Sequence, residues 1–176
     1  MGHREHRHAA PRRVATAVLT ISDTRTPETD AAGPLIRRLL SKAGHPVVDA
    51  RILPDEPRSI VALLRRWGRD RRVRAMILTG GTGVSPRDGT FEAVDSLLEK
   101  RLEGFGEIFR MLSYDQVGAA AFLSRALAGI YRGRAVFSLP GAVSAVTLGM
   151  EKLILPELAH LAYEISKPPL RRLKTR

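Results

Sequence analysis

Apolar and polar positions along the chain follow two periods, and the switches between them mark out its elements. Residues 14–21 are apolar or β-branched throughout, with Arg13 before them and Ser22 and Asp23 after, which predicts a strand buried on both faces. Leu35, Ile36, Leu39 and Leu40 then recur on one helical face, with Asp30 placed to cap the start and Gly44 to stop the run. Residues 46–53 alternate as a second strand, and residues 59–67 predict an amphipathic helix with Ile60, Leu63, Leu64 and Trp67 inward. Residues 75–79 predict the third strand. Beyond it, residues 91–100 and 104–117 predict helices, and residues 131–134 a turn ahead of a strand over 135–139. Residues 142–165 predict two helices separated near Pro156.

Strands alternating with helices in the first half of the chain imply parallel, right-handed crossovers, hence an α/β fold with helices on both faces of a sheet. The 176 residues contain no internal repeat and no linker, so residues 14–166 are read as one domain between basic tails at 1–13 and 167–176. Charge matters here only through its placement. The tails hold eight of the eleven net positive charges, leaving the body close to balance. Nucleic-acid binding through the tails is therefore the weakest of the function classes considered. The chain has no Cys, which excludes thiol nucleophiles, thiolate metal sites and disulfides. No run reaches the roughly 18 apolar residues of a membrane span and no secretory signal opens the sequence, so a cytoplasmic protein without a membrane partner is expected.

In an open parallel sheet, ligands bind beyond the carboxyl ends of the strands. Polar or Gly/Pro loops follow four predicted strands there: Ser22 and Asp23; Pro54 and Asp55; Thr79, Gly80, Gly81, Thr82 and Gly83; and Pro140 and Gly141. Three glycines in four positions suit backbone N–H groups curled around an anion, or equally a plain strand-to-loop turn. The loop is not a P-loop, because Val84 follows Gly83 where that motif requires Lys. Asp88 stands either as a helix cap or turn former, or as a metal-linked carboxylate, and Asp55 has the same two readings. Together with the glycines, the two carboxylates are the parts needed to hold Mg²⁺ on a nucleotide phosphate. Ser124 and Arg125 join a hydroxyl to a guanidinium, suited to a ligand phosphate or carboxylate or simply to the surface.

Seven strings in order carry a resemblance to a known family. They are Leu19-Thr20-Ile21-Ser22-Asp23, Leu53-Pro54-Asp55-Glu56, Leu78-Thr79-Gly80-Gly81-Thr82-Gly83, Arg87-Asp88-Gly89-Thr90, Glu103-Gly104-Phe105-Gly106-Glu107, Leu123-Ser124-Arg125-Ala126 and Leu139-Pro140-Gly141. Over about residues 14–165 the chain resembles the MoaB/Mog family of molybdenum-cofactor biosynthesis, on its MoaB branch. The resemblance implies a three-layer α/β/α domain with a mostly parallel sheet, assembled as a trimer or hexamer, that binds molybdopterin. In active members Mg²⁺ and ATP adenylylate the terminal phosphate of molybdopterin and release pyrophosphate.

Carried over by motif, Asp55 and Asp88 are the expected catalytic, metal-linked carboxylates. Gly80, Gly81, Thr82 and Gly83 should wrap phosphate, and Ser124 and Arg125 should contact the pterin. Ser22, Asp23, Thr79, Thr90, Ser138, Pro140 and Gly141 complete the expected substrate and nucleotide site. Phe105, Ile108, Phe109 and Met111 are expected at a subunit contact. Two positions depart from the active pattern: Phe91 follows Thr90 where active members commonly have Pro, and Ser138 replaces a common Asn. The alternative to an adenylyltransferase is a molybdopterin-binding or assembly protein of the same fold without turnover, working with other proteins of cofactor biosynthesis.

Overall fold

A computed structural model describes residue 11 and residues 13–168. Most of each expected tail, 1–13 and 167–176, lies outside the described residues. Six strands form one sheet in the order β2-β1-β3-β6-β5-β4. The strands are β1 (Thr16–Ile21), β2 (Val47–Leu53), β3 (Ala75–Thr79), β4 (Lys100–Arg101), β5 (Leu127–Tyr131) and β6 (Arg134–Leu139). The first four in that order run parallel, whereas β5 is antiparallel to both β6 and β4.

Side chains alternate across each strand, so the sheet feeds two apolar layers. Val18 and Ile77 pack with Ile36 and Leu40 of α1 (Ala32–Lys42), alongside Phe109 from one helix and Val146 from another on the same face. Leu19, Leu78 and Val136 pack on the opposite face with Ile60, Leu64 and Trp67 of α2 (Pro57–Trp67) and with Val94 of α3 (Thr90–Asp95). The three-layer α/β/α arrangement is thus built by period-two strands meeting helices that each present one apolar stripe. Asp30 performs the expected capping from one position further out. Its Oδ1 accepts the N–H groups of Ala32 and Gly33, both at 3.0 Å, ahead of α1.

The second half departs from the sequence pattern in three places. The helix expected over 91–100 is only α3; the chain then turns and enters the two-residue strand β4. The strand β5 is not predicted by the pattern, because Leu-Ala-Gly opens it with weak strand formers; partners on both sides hold it. The turn after it is a hairpin, with Arg132 and Gly133 at φ 49° and 69°, values that suit the right-handed twist of the two strands. After α4 (Glu103–Val117) and a short 3₁₀ segment (Gly118–Leu123), the expected pair of C-terminal helices is one continuous helical path: α5 (Val143–Leu148), a π-helical turn (Gly149–Ile154) and α6 (Leu155–Ser166). Pro156 lies in the first turn of α6. The widened turn before it makes room for a ring that would otherwise strike the carbonyl four residues back.

At the far edge of the sheet from the loops described below, the Val14 N–H donates to buried His45 Nδ1 at 3.1 Å, and burial holds the His45 pKa below its ordinary 6.5. The neutral ring is therefore favoured in the folded state. Its contribution is complete above the unfolded pKa and is lost as the pH falls below it and through the folded one. Urea unfolding between pH 7.5 and 5 should show stability declining with acidification, and His45→Gln, which cannot titrate, should flatten that decline. An unchanged slope in the variant would exclude His45 as its source.

Candidate functional site

The carboxyl ends of β1, β2, β3 and β6 lie side by side and bring the four polar loops to one edge. The glycine loop there has the conformation its composition permits. Gly80 and Gly81 adopt φ of +102° and +63°, and the Gly80 N–H donates to the Leu139 carbonyl at 3.0 Å. A Cβ on Gly81 would lie 2.6 Å from Asp55 Oδ2 and 2.7 Å from Thr90 Cβ. Only glycine lets the loop approach this carboxylate.

Asp55 sits at the centre. Its Oδ1 accepts the hydroxyl of buried Thr90 at 2.9 Å, while its Oδ2 is buried and has no hydrogen-bond partner. Burial pushes the Asp55 pKa up, and the neighbouring Asp88 and Asp23 carboxylates push the same way, against the hydrogen bonds from Thr90 and the Gly89 backbone. Asp23 accepts the Asp55 N–H at 3.2 Å and pairs with Arg87 at 2.7 Å; that guanidinium lowers the Asp23 pKa. Asp88 Oδ2 accepts the Ser85 N–H at 2.9 Å and lies against Gly83. Asp88 therefore closes a turn. It does not cap α3, whose N-cap is Gly89 with no side-chain bond.

A cavity of about 460 Å³ opens beside the loop, between Gly80, Gly81, Thr82 and Gly83, the face of α4 bearing Phe109, and the Pro140–Gly141 turn, with Leu123 and Ser124 at one wall. Thr79 holds that turn in place, its hydroxyl donating to the Pro140 carbonyl at 3.0 Å. Gln116 and Ser144 also reach the cavity; no motif marks either in the sequence. Ser22 lines a neighbouring cleft of about 450 Å³ with Thr79 and Gly141.

Two expected ligand contacts need correction. Ser138 is fully buried within β6, between Leu78 and Leu127, and its hydroxyl has no partner, so it cannot touch a ligand in this conformation. Arg125 turns away from the cavity. Its guanidinium donates to the Thr82 carbonyl at 3.4 Å, to the Gly83 carbonyl and to the Asp88 carbonyl at 3.3 Å, pairs with Glu92, and lies over the Phe91 ring at 4.9 Å. It fastens the glycine loop to the start of α3, and Phe91, the departure from the active pattern, forms its floor. Arg87 was unassigned in the sequence, although it stands next to Asp88 in a matched string.

Residues 17–160 match the family model described as "Probable molybdopterin binding domain". The chain is 48% identical over 164 residues to molybdenum cofactor biosynthesis protein B of Halalkalibacterium halodurans, covering 93% of this chain and 96% of that protein. Among solved structures, one of molybdenum cofactor biosynthesis protein B superposes with a TM-score of 0.86 at 46% identity, covering 89% of this chain and 98% of the other. The tungsten cofactor synthesizing protein MoaB of Pyrococcus furiosus superposes with a TM-score of 0.80 at 38% identity, covering 90% and 100%.

Proposed function

From the premise that the chain belongs to the molybdopterin-binding family of molybdenum cofactor biosynthesis protein B, we propose that it acts in molybdenum cofactor biosynthesis as a molybdopterin adenylyltransferase. The observation that carries the reading is the buried, unpartnered Asp55 Oδ2, an acceptor enclosed by the glycine loop and adjoining Asp88 and Asp23. An orphaned carboxylate oxygen is costly unless a ligand completes it.

The donor set fits Mg²⁺. The ion favours hard oxygens and is held by one or two carboxylates plus substrate phosphates, so Asp55 and Asp88 would suffice to anchor it. When bound, Mg²⁺ neutralises phosphate charge and favours the ionised form of Asp55 that burial opposes. The chain itself supplies position. Thr90 fixes one Asp55 oxygen, Arg125 holds the Thr82 and Gly83 carbonyls, and backbone N–H groups of the loop beyond Gly80 would take the phosphates. The pterin would occupy the cavity beside Ser124. An oxygen of its terminal phosphate bonds to the α-phosphorus of ATP as the bond to the bridging oxygen breaks, and the electron pair leaves with pyrophosphate. No protein nucleophile is required, in keeping with a chain without Cys.

The test is purified protein with molybdopterin, ATP and Mg²⁺, with adenylylated product followed by mass and pyrophosphate by coupled assay. Phe91 and the enclosed Ser138 favour the second reading, a molybdopterin-binding protein without turnover; binding without product would establish it. A cytoplasmic setting accords with both readings, and among the described residues no helix is long and apolar enough to cross a membrane.

The proposal includes a homotrimer or homohexamer. Of the four residues expected at a subunit contact, Phe109 is wholly buried and Phe105 packs on the core beside it, whereas Ile108 and Met111 are exposed. With Tyr114, Val117 and Phe122 they make an apolar strip along α4 and the segment after it. Light scattering should give a multiple of the 19.4 kDa chain, and Met111→Glu should shift it towards monomer. A wild-type monomer at micromolar concentration would remove the claim.

A further inference from the structure

We propose that the arginine-lined cleft between the ends of β1 and β2 and the start of α1 holds the β- and γ-phosphates of the nucleotide, and hence the departing pyrophosphate. The inference rests on the proposed use of ATP and assigns residues that the family motifs leave out. The cleft has a volume of about 670 Å³, and Arg25, Arg37 and Arg51 line it.

Charge accounting favours an anion there. Asp23 and Asp30 also line the cleft; Arg87 neutralises Asp23, whereas Asp30, hydrogen-bonded to the N–H groups of Ala32 and Gly33 and to the Thr20 hydroxyl at 2.7 Å, keeps its charge against the two cations Arg25 and Arg37. Among the arginines, Arg51 pairs with Asp49 at 2.9 Å, whereas Arg25 gives one N–H to the Thr29 carbonyl, and among the described residues neither Arg25 nor Arg37 is in an ion pair. Two guanidiniums thus face a concave wall with most of their donors unspent, the arrangement that recognises phosphate oxygens. The loop carrying Arg25 is shaped in advance, since Ser22 Oγ accepts the N–H groups of Thr24 and Arg25 at 3.3 and 3.2 Å.

Position agrees with charge. The arginine cleft shares Thr20, Ser22, Arg25 and Asp30 with the neighbouring cleft, which in turn shares Gly141 and Ala142 with the cavity beside Ser124. One trough therefore runs along the carboxyl edge, apolar at the α4 end and basic at the β2 end. In-line displacement needs the attacking and leaving oxygens on opposite sides of the α-phosphorus. A pterin phosphate arriving from the β3–β6 side would expel pyrophosphate towards the β1–β2 side, where the arginines stand. Asp23, which lines the cleft and accepts the Asp55 N–H, places that departure next to the carboxylates.

Calorimetric titration of the full chain in Mg²⁺ with inorganic pyrophosphate, ATP and AMP tests this. Pyrophosphate should bind, and Arg25→Ala/Arg37→Ala should weaken pyrophosphate and ATP by about tenfold or more while AMP and molybdopterin affinities stay unchanged. Arg37→Glu alone should do the same or worse; the Arg37 side chain makes no hydrogen bond or ion pair among the described residues, so the fold should be unaffected and thermal melting should match wild type. No binding of pyrophosphate by the wild type, or equal affinity in the double variant, would overturn the proposal. The two readings fail separately: arginine-dependent pyrophosphate binding without adenylylation keeps the cleft and sinks the enzyme, whereas turnover with unchanged pyrophosphate affinity does the reverse.

Discussion

Asp55→Asn is expected to abolish adenylylation while leaving the protein at least as stable as before. The amide is nearly isosteric, and its oxygen can still accept the Thr90 hydroxyl. What is lost is the charge of a carboxylate whose second oxygen is buried beside the glycine loop without a partner. Removing one preorganised electrostatic contact from a phosphoryl-transfer site costs on the order of 10²- to 10³-fold in rate. The stability sign follows from linkage. Burial raises the Asp55 pKa above its unfolded value, so the folded state binds that proton more tightly, and the ionised group weighs against folding at neutral pH. Asn carries no such burden. Thermal melting at pH 7 should give a midpoint equal to or above wild type, and molybdopterin binding should persist. A clear drop in melting temperature with turnover intact would make Asp55 a structural turn residue.

How far the sequence reveals such a site depends on whether its information is local. β1, β2, β3 and their crossover helices are written in period and punctuation, and the structure follows them within a residue or two. Pairing supplies what composition does not for β5, a strand built on Leu-Ala-Gly, and for β4, whose first residue is the last of an expected helix. The carboxyl-edge loops were legible because strand ends in a parallel sheet converge by topology. Side-chain direction was not. The same Ser-Arg pair that suggests a ligand contact sends Ser124 to the cavity and Arg125 to loop carbonyls, because the guanidinium finds Thr82, Gly83, Asp88 and Glu92 closer to hand. Ser138 lies one position inside the strand end, and strand alternation turns it into the sheet instead of onto the edge. The arginine cleft draws Arg25, Arg37 and Arg51 from three different elements, so no local spacing could announce it.

For Asp88 the turn-forming role and the proposed metal-linked role are compatible, and paired substitutions separate them. Asp88 Oδ2 accepts the Ser85 N–H, which is the turn-forming role. The carboxylate also stands near enough to Asp55 to raise its pKa, which places its charge at the proposed phosphate site. Asp88→Asn keeps an oxygen for the Ser85 N–H and removes only the charge; Asp88→Ala removes both. The Asn variant should therefore melt like wild type, whereas the Ala variant should lose about 1 kcal/mol, the usual worth of one such hydrogen bond. Turnover should fall by on the order of 10²- to 10³-fold in both, because both lose the anchor for the metal–phosphate charge. Molybdopterin affinity should change far less, since the cavity beside Ser124 contains no part of Asp88. Retained turnover in Asp88→Asn together with reduced stability in Asp88→Ala would leave Asp88 with the turn alone, and would move the burden of metal binding onto Asp55 and the substrate phosphates.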